Sequence, residues 1–285
     1  MTEQNIVFGK MEKIKTIFQN AQEYASEHTD FISIKSFLEN TEEEFRSVAF
    51  ESVSMVIALK ELQEENVLNK WMLFANGIGR DHAAQIHAGL GWALAQEGRS
   101  ALLFSDALEP LMRYRVVDGY GYYDGFFRPR KTIKSQKSPE ELKGIALKSY
   151  DQGVGRSIWY HCGGNLTKVA ETINAFNVPR HADLWRGIGI ASSYVGGLNE
   201  KELHTLFILA STYQAQLFAG AALTARARVH SKTVTPGIEV ACKVWCNCSA
   251  NEIVERTEKL LSALPSENKY EKWISSMEKN LFHLI

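Results

Sequence analysis

The chain has 285 residues, 45% of them hydrophobic and 23% charged, and a formal net charge of −1. That length and balance suit an ordered globular protein with a sizeable core. Near-neutrality removes any broad electrostatic drive towards nucleic acid or anionic lipid.

From the N-terminus, Met1 to Thr16 is too polar for a signal peptide. Helix-start signals then recur. Thr41-Glu-Glu-Glu44 and Ser138-Pro-Glu-Glu141 read as capping boxes, and Asn199 with Glu202 and Ser249 with Glu252 repeat the pattern. Gly98, Gly163-Gly164 and Gly196-Gly197 read as left-handed stops. Between these marks the sequence predicts helices over 9–27, 30–39, 42–65, 68–76, 81–97, 106–117, 140–162, 166–176, 179–195, 200–229, 236–247, 250–264 and 267–283. Gly119, Gly121 and Gly125 leave 118–127 open between helix and loop. The basic run Arg128 to Lys137 reads as a solvated linker. Leu203 to Ala225 carries no Asp, Glu, Lys or Arg, but its two glutamines suit a buried core helix better than a membrane span. Cys162, Cys242, Cys246 and Cys248 fit reduced thiols in a cytoplasmic protein, and no histidine stands near the last three to complete a metal site. Neither metal nor cofactor is expected.

The fold class that follows is all-α, a single domain over 1–285. Two segments look like copies: Ala84 to Ala95 and Ala182 to Ser193, with Gly89 matching Gly187 and Gly91 matching Gly189. This predicts a helical bundle built from a duplicated, pseudo-twofold unit. Residues 1–40 would be N-terminal helices, 42–130 the first repeat, 138–230 the second and 236–285 a C-terminal extension. Mid-helix glycine costs about 1 kcal/mol against alanine. The pairs therefore predict close helix contact, with the two glycine helices crossing near the pseudo-axis and a cleft between the halves.

Chemistry is expected from acid-and-aromatic steps: Phe50-Glu51, Asp118-Gly-Tyr-Gly-Tyr-Tyr-Asp-Gly125 and Tyr150-Asp-Gln-Gly-Val-Gly-Arg156. Asp118, Asp124 and Asp151 are the candidate acid–base groups, since burial raises a carboxyl pKa towards the useful range, with Arg156 as orienter. Trp92, Tyr122 and Trp159 would wall the cleft, and Glu51, His87, Trp185 and Gln216 would contact its contents. The bland alternative pairs each acid with Arg156, Arg180, Arg186 or Arg226 to fix helix register. His82 and His87 are spaced poorly for a shared metal, and phosphate-loop, dinucleotide and Gly-x-Ser-x-Gly signatures are absent.

The blocks His87 to Leu94, Val117 to Phe127, Tyr150 to Tyr160 and Arg180 to Gly189, with the Tyr270-x-x-Trp273 ending, resemble the UnbL-like bacterial family of unknown function (DUF1702). The likeness runs from about residue 45 to 275 and departs at Tyr123, where a histidine is expected. It implies a place in specialised-metabolite assembly of the enediyne polyketide kind, and supplies no catalytic residues. The functional expectation is an enzyme that holds a long hydrophobic unsaturated chain between the repeats and cyclises or isomerises it by carboxylate chemistry. The alternative is a non-catalytic carrier or scaffold that presents such a molecule to a partner enzyme or membrane complex. A homodimer fits either reading.

Overall fold

The structure, a computed structural model, describes residues 3–64 and 67–280. Among them every regular element is helical, as the sequence predicts: α1 (Glu3–Glu27), α2 (Phe31–Asn40), α3 (Glu43–Glu64), α4 (Asn69–Asn76), α5 (Ala83–Gln96), α6 (Arg113–Phe127), α7 (Gly144–His161), α8 (Leu166–Asn174), α9 (Val178–Val195), α10 (Glu200–Leu209), α11 (Gln214–His230), α12 (Pro236–Cys246), α13 (Ala250–Ser262) and α14 (Lys269–Asn280).

The local signals divide. Asn199 and Ser249 form complete capping boxes with Glu202 and Glu252, and Gly98, Gly163, Gly164, Gly196 and Gly197 all have positive φ. The other two boxes do not form. The Thr41 hydroxyl instead donates back to the Phe37 carbonyl, and α7 starts at Gly144, after the Ser138 turn. The 118–127 segment is helix, the body of α6, whereas 106–112, expected as helix, is mostly turn. The uncharged 203–225 stretch is broken at Ser211, with φ 51°, into α10 and α11 at 110°. No single helix among the described residues is long and apolar enough to cross a membrane.

The long helices α1, α3, α5, α6, α7, α9 and α11 pack in that order, each against the next. Side-chain bonds fix their sense. Ser52 donates to the Phe18 carbonyl and Lys60 to that of Ala25; Ser54 reaches Ile86 and Gln63 reaches Glu97; Thr224 reaches the Ile190 carbonyl and Arg228 that of Tyr194. Donor and acceptor advance together, so neighbours run parallel, and α2, α4, α8, α10 and the loops carry the chain back. The series also curves. Arg228 near the end of α11 donates to the Glu44 carbonyl in α3 at 2.9 Å, and Ser231 lies 3.4 Å from Ser47. The α11 C-terminus thus meets the α3 N-terminus, and the helices wind around a common axis as a spiral.

One device repeats at the five crossings from α3 to α11. A Cβ on Gly89 would lie 2.2 Å from the Glu51 carbonyl oxygen, on Gly119 2.2 Å from that of Ala88, on Gly153 1.9 Å from Asp118, on Gly187 2.1 Å from Gln152 and on Gly220 2.1 Å from Arg186. The second small residue of each helix faces the following helix: Gly91 against Val116, Gly121 against Tyr150, Gly155 against Leu184 and Gly189 against Leu217. In α3 the equivalent Ser54 hydroxyl bonds the Ile86 carbonyl at 2.7 Å. Backbone thus touches backbone, closer than ordinary ridge-and-groove packing permits.

This corrects the two-halves reading. The matched segments in α5 and α9 do occupy equivalent positions, but as members of a longer series of single-helix steps. They do not cross one another, because α6 and α7 stand between them. The C-terminal helices follow: α12 packs against α10 and α11, and α13 and α14 pack against α11.

Candidate functional site

Helical periodicity puts one stripe of each long helix on the axis: residues one turn before, just before and three after the first small residue. Glu51 of α3, Gln85 of α5, Arg115 of α6, Arg156 of α7, Ile190 of α9 and Leu223 of α11 hold those positions, and all line one cavity. Tyr194 and Thr224 complete its wall, and Tyr270 and Trp273 of α14 also line it. Exposed Arg80, Asp81 and His230 stand at the solvent side. Its volume is about 70 Å³, room for roughly five water molecules. A long unsaturated chain does not fit such a space, since drug-sized ligands occupy pockets of about 300 Å³ or more. The expected apolar hollow between two halves is a small, charged cavity on a spiral axis.

The acids divide sharply. Asp118, fully buried, accepts from Gln152 and Arg156 and lies 3.1 Å from Arg115. Asp124 accepts from Arg128 at 2.7 Å and from the Tyr150 hydroxyl at 3.0 Å. Asp151 is gripped through both oxygens by Arg180. None of the three lines the cavity, so the register-fixing role describes their geometry and the acid–base assignment to them does not. Burial still outweighs Arg180 at Asp151, whose carboxyl is pushed up to about 6.

Glu51 is the exception. It is 6% exposed, its Oε1 has no hydrogen-bond partner, and the nearest guanidinium, that of Arg156, is 3.8 Å away. Desolvation raises its pKa against the opposing pull of Arg156 and Arg115. Three more buried polar atoms in this wall lack a hydrogen-bond partner, Gln85 Oε1, Arg115 Nε and Tyr194 Oη. Unsatisfied groups of this kind are rare in a packed interior and cost about 1–3 kcal/mol each. Four of them share this one wall.

The remaining expected contacts fall elsewhere. Tyr122 lies beneath Arg156, whose guanidinium carbon is 4.3 Å from the ring centre, so it supports the orienter from behind the wall. Trp92 packs among Phe18, Tyr122 and Phe127. Trp159 and Trp185 are core residues. His87 Nδ1 donates to the Ala83 carbonyl at 2.7 Å, and burial lowers its pKa to about 4. Gln216 donates to Glu278. Of the residues singled out in the sequence, Glu51 and Arg156 line this cavity together, and Gln85, Arg115 and Tyr194, which the sequence reading did not single out, line it with them. Aligning all the small-x-small helices, rather than two, would have placed Gln85 and Arg115 on the axial stripe.

No curated protein and no solved structure matches the chain. The family described as Protein of unknown function (DUF1702) matches residues 2–281.

Proposed function

The chain belongs to the DUF1702 family, and from its cavity we propose that it binds the small polar end of an organic molecule on the spiral axis and moves a proton there through Glu51. The observation that supports this is the buried Glu51 carboxyl, raised in pKa, without a hydrogen bond at Oε1 and 3.8 Å from the Arg156 guanidinium. A carboxylate in that setting is a stronger base than one in water. It would take a proton from carbon beside a carbonyl, leaving the electron pair on the carbonyl oxygen, with Arg156 and Arg115 supplying positive charge to that oxygen. Returning the proton to a different carbon completes an isomerisation and leaves Glu51 as it began.

The biological setting we propose is the one the sequence resemblance implies, specialised-metabolite assembly of the enediyne polyketide type. With about 70 Å³ available, only the reacting end of such a molecule enters, and the rest lies outside the mouth.

Deuterium incorporation tests the proposal. Purified protein is incubated in D2O with a small-molecule extract of its source cells, and molecules that take up deuterium are found by mass spectrometry. The wild type labels a molecule that Glu51→Gln leaves unlabelled. Labelling at the wild-type rate by Glu51→Gln, or none by the wild type, overturns proton transfer. A molecule retained by both proteins and labelled by neither identifies a carrier.

A further inference from the structure

The charges around the cavity are out of balance, and the imbalance says what the contents carry. Four guanidinium groups line it, those of Arg80, Arg115, Arg156 and Arg226, against two carboxyls, Glu51 and Asp81. Asp118 lies behind Arg115 and Arg156, and Glu258 behind Arg226. A fifth guanidinium, Arg228, is 2% exposed and stacks on the cavity residue Tyr194, 4.0 Å from ring centre to guanidinium carbon. Its hydrogen bonds go to the carbonyls of Glu44, Thr233 and Tyr194, and among the described residues it makes no ion pair with a carboxylate. With every acid ionised the set is positive by one charge.

A buried positive excess is expensive unless something negative completes it. The unpartnered atoms add direction. Arg115 Nε offers a donor, Glu51 Oε1 and Gln85 Oε1 offer acceptors, and the Tyr194 hydroxyl can serve as either. One compact anionic group cannot satisfy both kinds, because acceptors repel it. A carboxylate with a hydroxyl one carbon away satisfies both the donor and the acceptors: the carboxylate faces Arg115 and Arg156, and the hydroxyl donates towards Gln85 and Glu51. We propose that the cavity is a site for a small 2-hydroxycarboxylate group, free or as the end of a larger acid. This rests on the cavity being the ligand site and extends that reading to the class of ligand. Arg115 and Gln85 are its recognition residues, with Arg228 supplying field from behind Tyr194.

Glycolate tests this directly, because glycolamide keeps its size and hydroxyl and removes its charge, while acetate keeps the charge and removes the hydroxyl. Titration calorimetry on the full chain should give a glycolate Kd of about 1 mM, within reach of a five-heavy-atom ligand, with glycolamide and acetate each at least about tenfold weaker. Arg115→Met should abolish glycolate binding. Because that variant also loses an Asp118 contact, Gln85→Leu serves beside it: it breaks no hydrogen bond of the fold and should weaken glycolate about tenfold while leaving acetate unchanged. Equal affinity for glycolate and glycolamide overturns the anion assignment, and equal affinity for glycolate and acetate overturns the hydroxyl. No heat from glycolate at 100 mM overturns the site. None of these readouts depends on proton transfer, so glycolate binding survives if deuterium labelling fails, and labelling of a neutral molecule survives if glycolate does not bind.

Discussion

The seam between α6 and α7 and the wall of the axial cavity are both buried and both charged, yet they are built on opposite terms. At the seam, glycine lets the backbones touch, and every carboxylate is answered: Asp118 by Gln152, Arg156 and Arg115, and Asp124 by Arg128 and Tyr150. At the wall, a few ångströms away, Glu51, Gln85 and Arg115 each keep an atom unanswered. Arg156 belongs to both, bound to Asp118 on one side and 3.8 Å from Glu51 on the other. The contrast separates charge that holds the fold together from charge held in readiness, which burial alone cannot do. Substitutions should therefore sort by region, heavy losses of stability at the seam and slight ones at the wall.

The largest expected effect is at the seam glycines. Gly153→Ala puts a Cβ 1.9 Å from the Asp118 carbonyl oxygen and 2.6 Å from the Tyr122 nitrogen. Backbone cannot swing aside as a side chain can, so the variant should lose about 4 kcal/mol or more, or fail to fold. The control is Gly9→Ala in α1, where nothing lies within 4 Å; it should stabilise by about 0.5–1 kcal/mol through helix propensity. Urea denaturation measures both, and equal midpoints for the two variants would remove the close-crossing account. Next comes Asp118→Asn. It keeps the shape but strips the charge that answers Arg115 and Arg156, and breaking a buried pair costs about 3 kcal/mol.

How much of this the sequence reveals depends on how local the cause is. Helix content was legible because caps and stops act within a few residues, as at Asn199 and Ser249. The box at Thr41 fails because a second local partner wins, the Phe37 carbonyl one turn back in α2. The glycine pairs were legible as close contacts, but their partners were not. Gly89 and Gly187 look alike because they occupy the same place in successive steps, and likeness of that kind does not imply contact. The site was the least legible part. Asp151 and Glu51 are each one acid beside an aromatic in the sequence; only the spiral puts Arg180 on both oxygens of one and leaves the other bare.

A smaller effect follows from pH. The Asp151 carboxyl is pushed up by burial from 3.8 to about 6 in the folded chain, so between those values the folded state binds the proton more tightly than the unfolded state. Stability from this group is therefore greatest in acid and falls as pH rises through about 6. Comparing urea midpoints at pH 4.5 and 7 should show the wild type losing on the order of 2 kcal/mol more than Asp151→Asn over that interval. Parallel profiles would mean that the Arg180 clamp fully offsets the desolvation.

The smallest effect on stability is predicted at the residue with the largest proposed role. Glu51→Gln removes a carboxylate that burial disfavours and breaks no hydrogen bond, since its Oε1 has none; the loosened contact is with Arg156 at 3.8 Å, which Asp118 still holds. Because the folded-state pKa is raised, the ionised form weighs against the fold above the ordinary carboxylate range, and the amide relieves it. The variant should match or slightly exceed the wild type at pH 7, and its advantage should shrink as acid protonates the wild-type carboxyl. A large loss of stability on this substitution would place Glu51 with Asp118 as a structural acid, and the distinction between seam and wall would disappear.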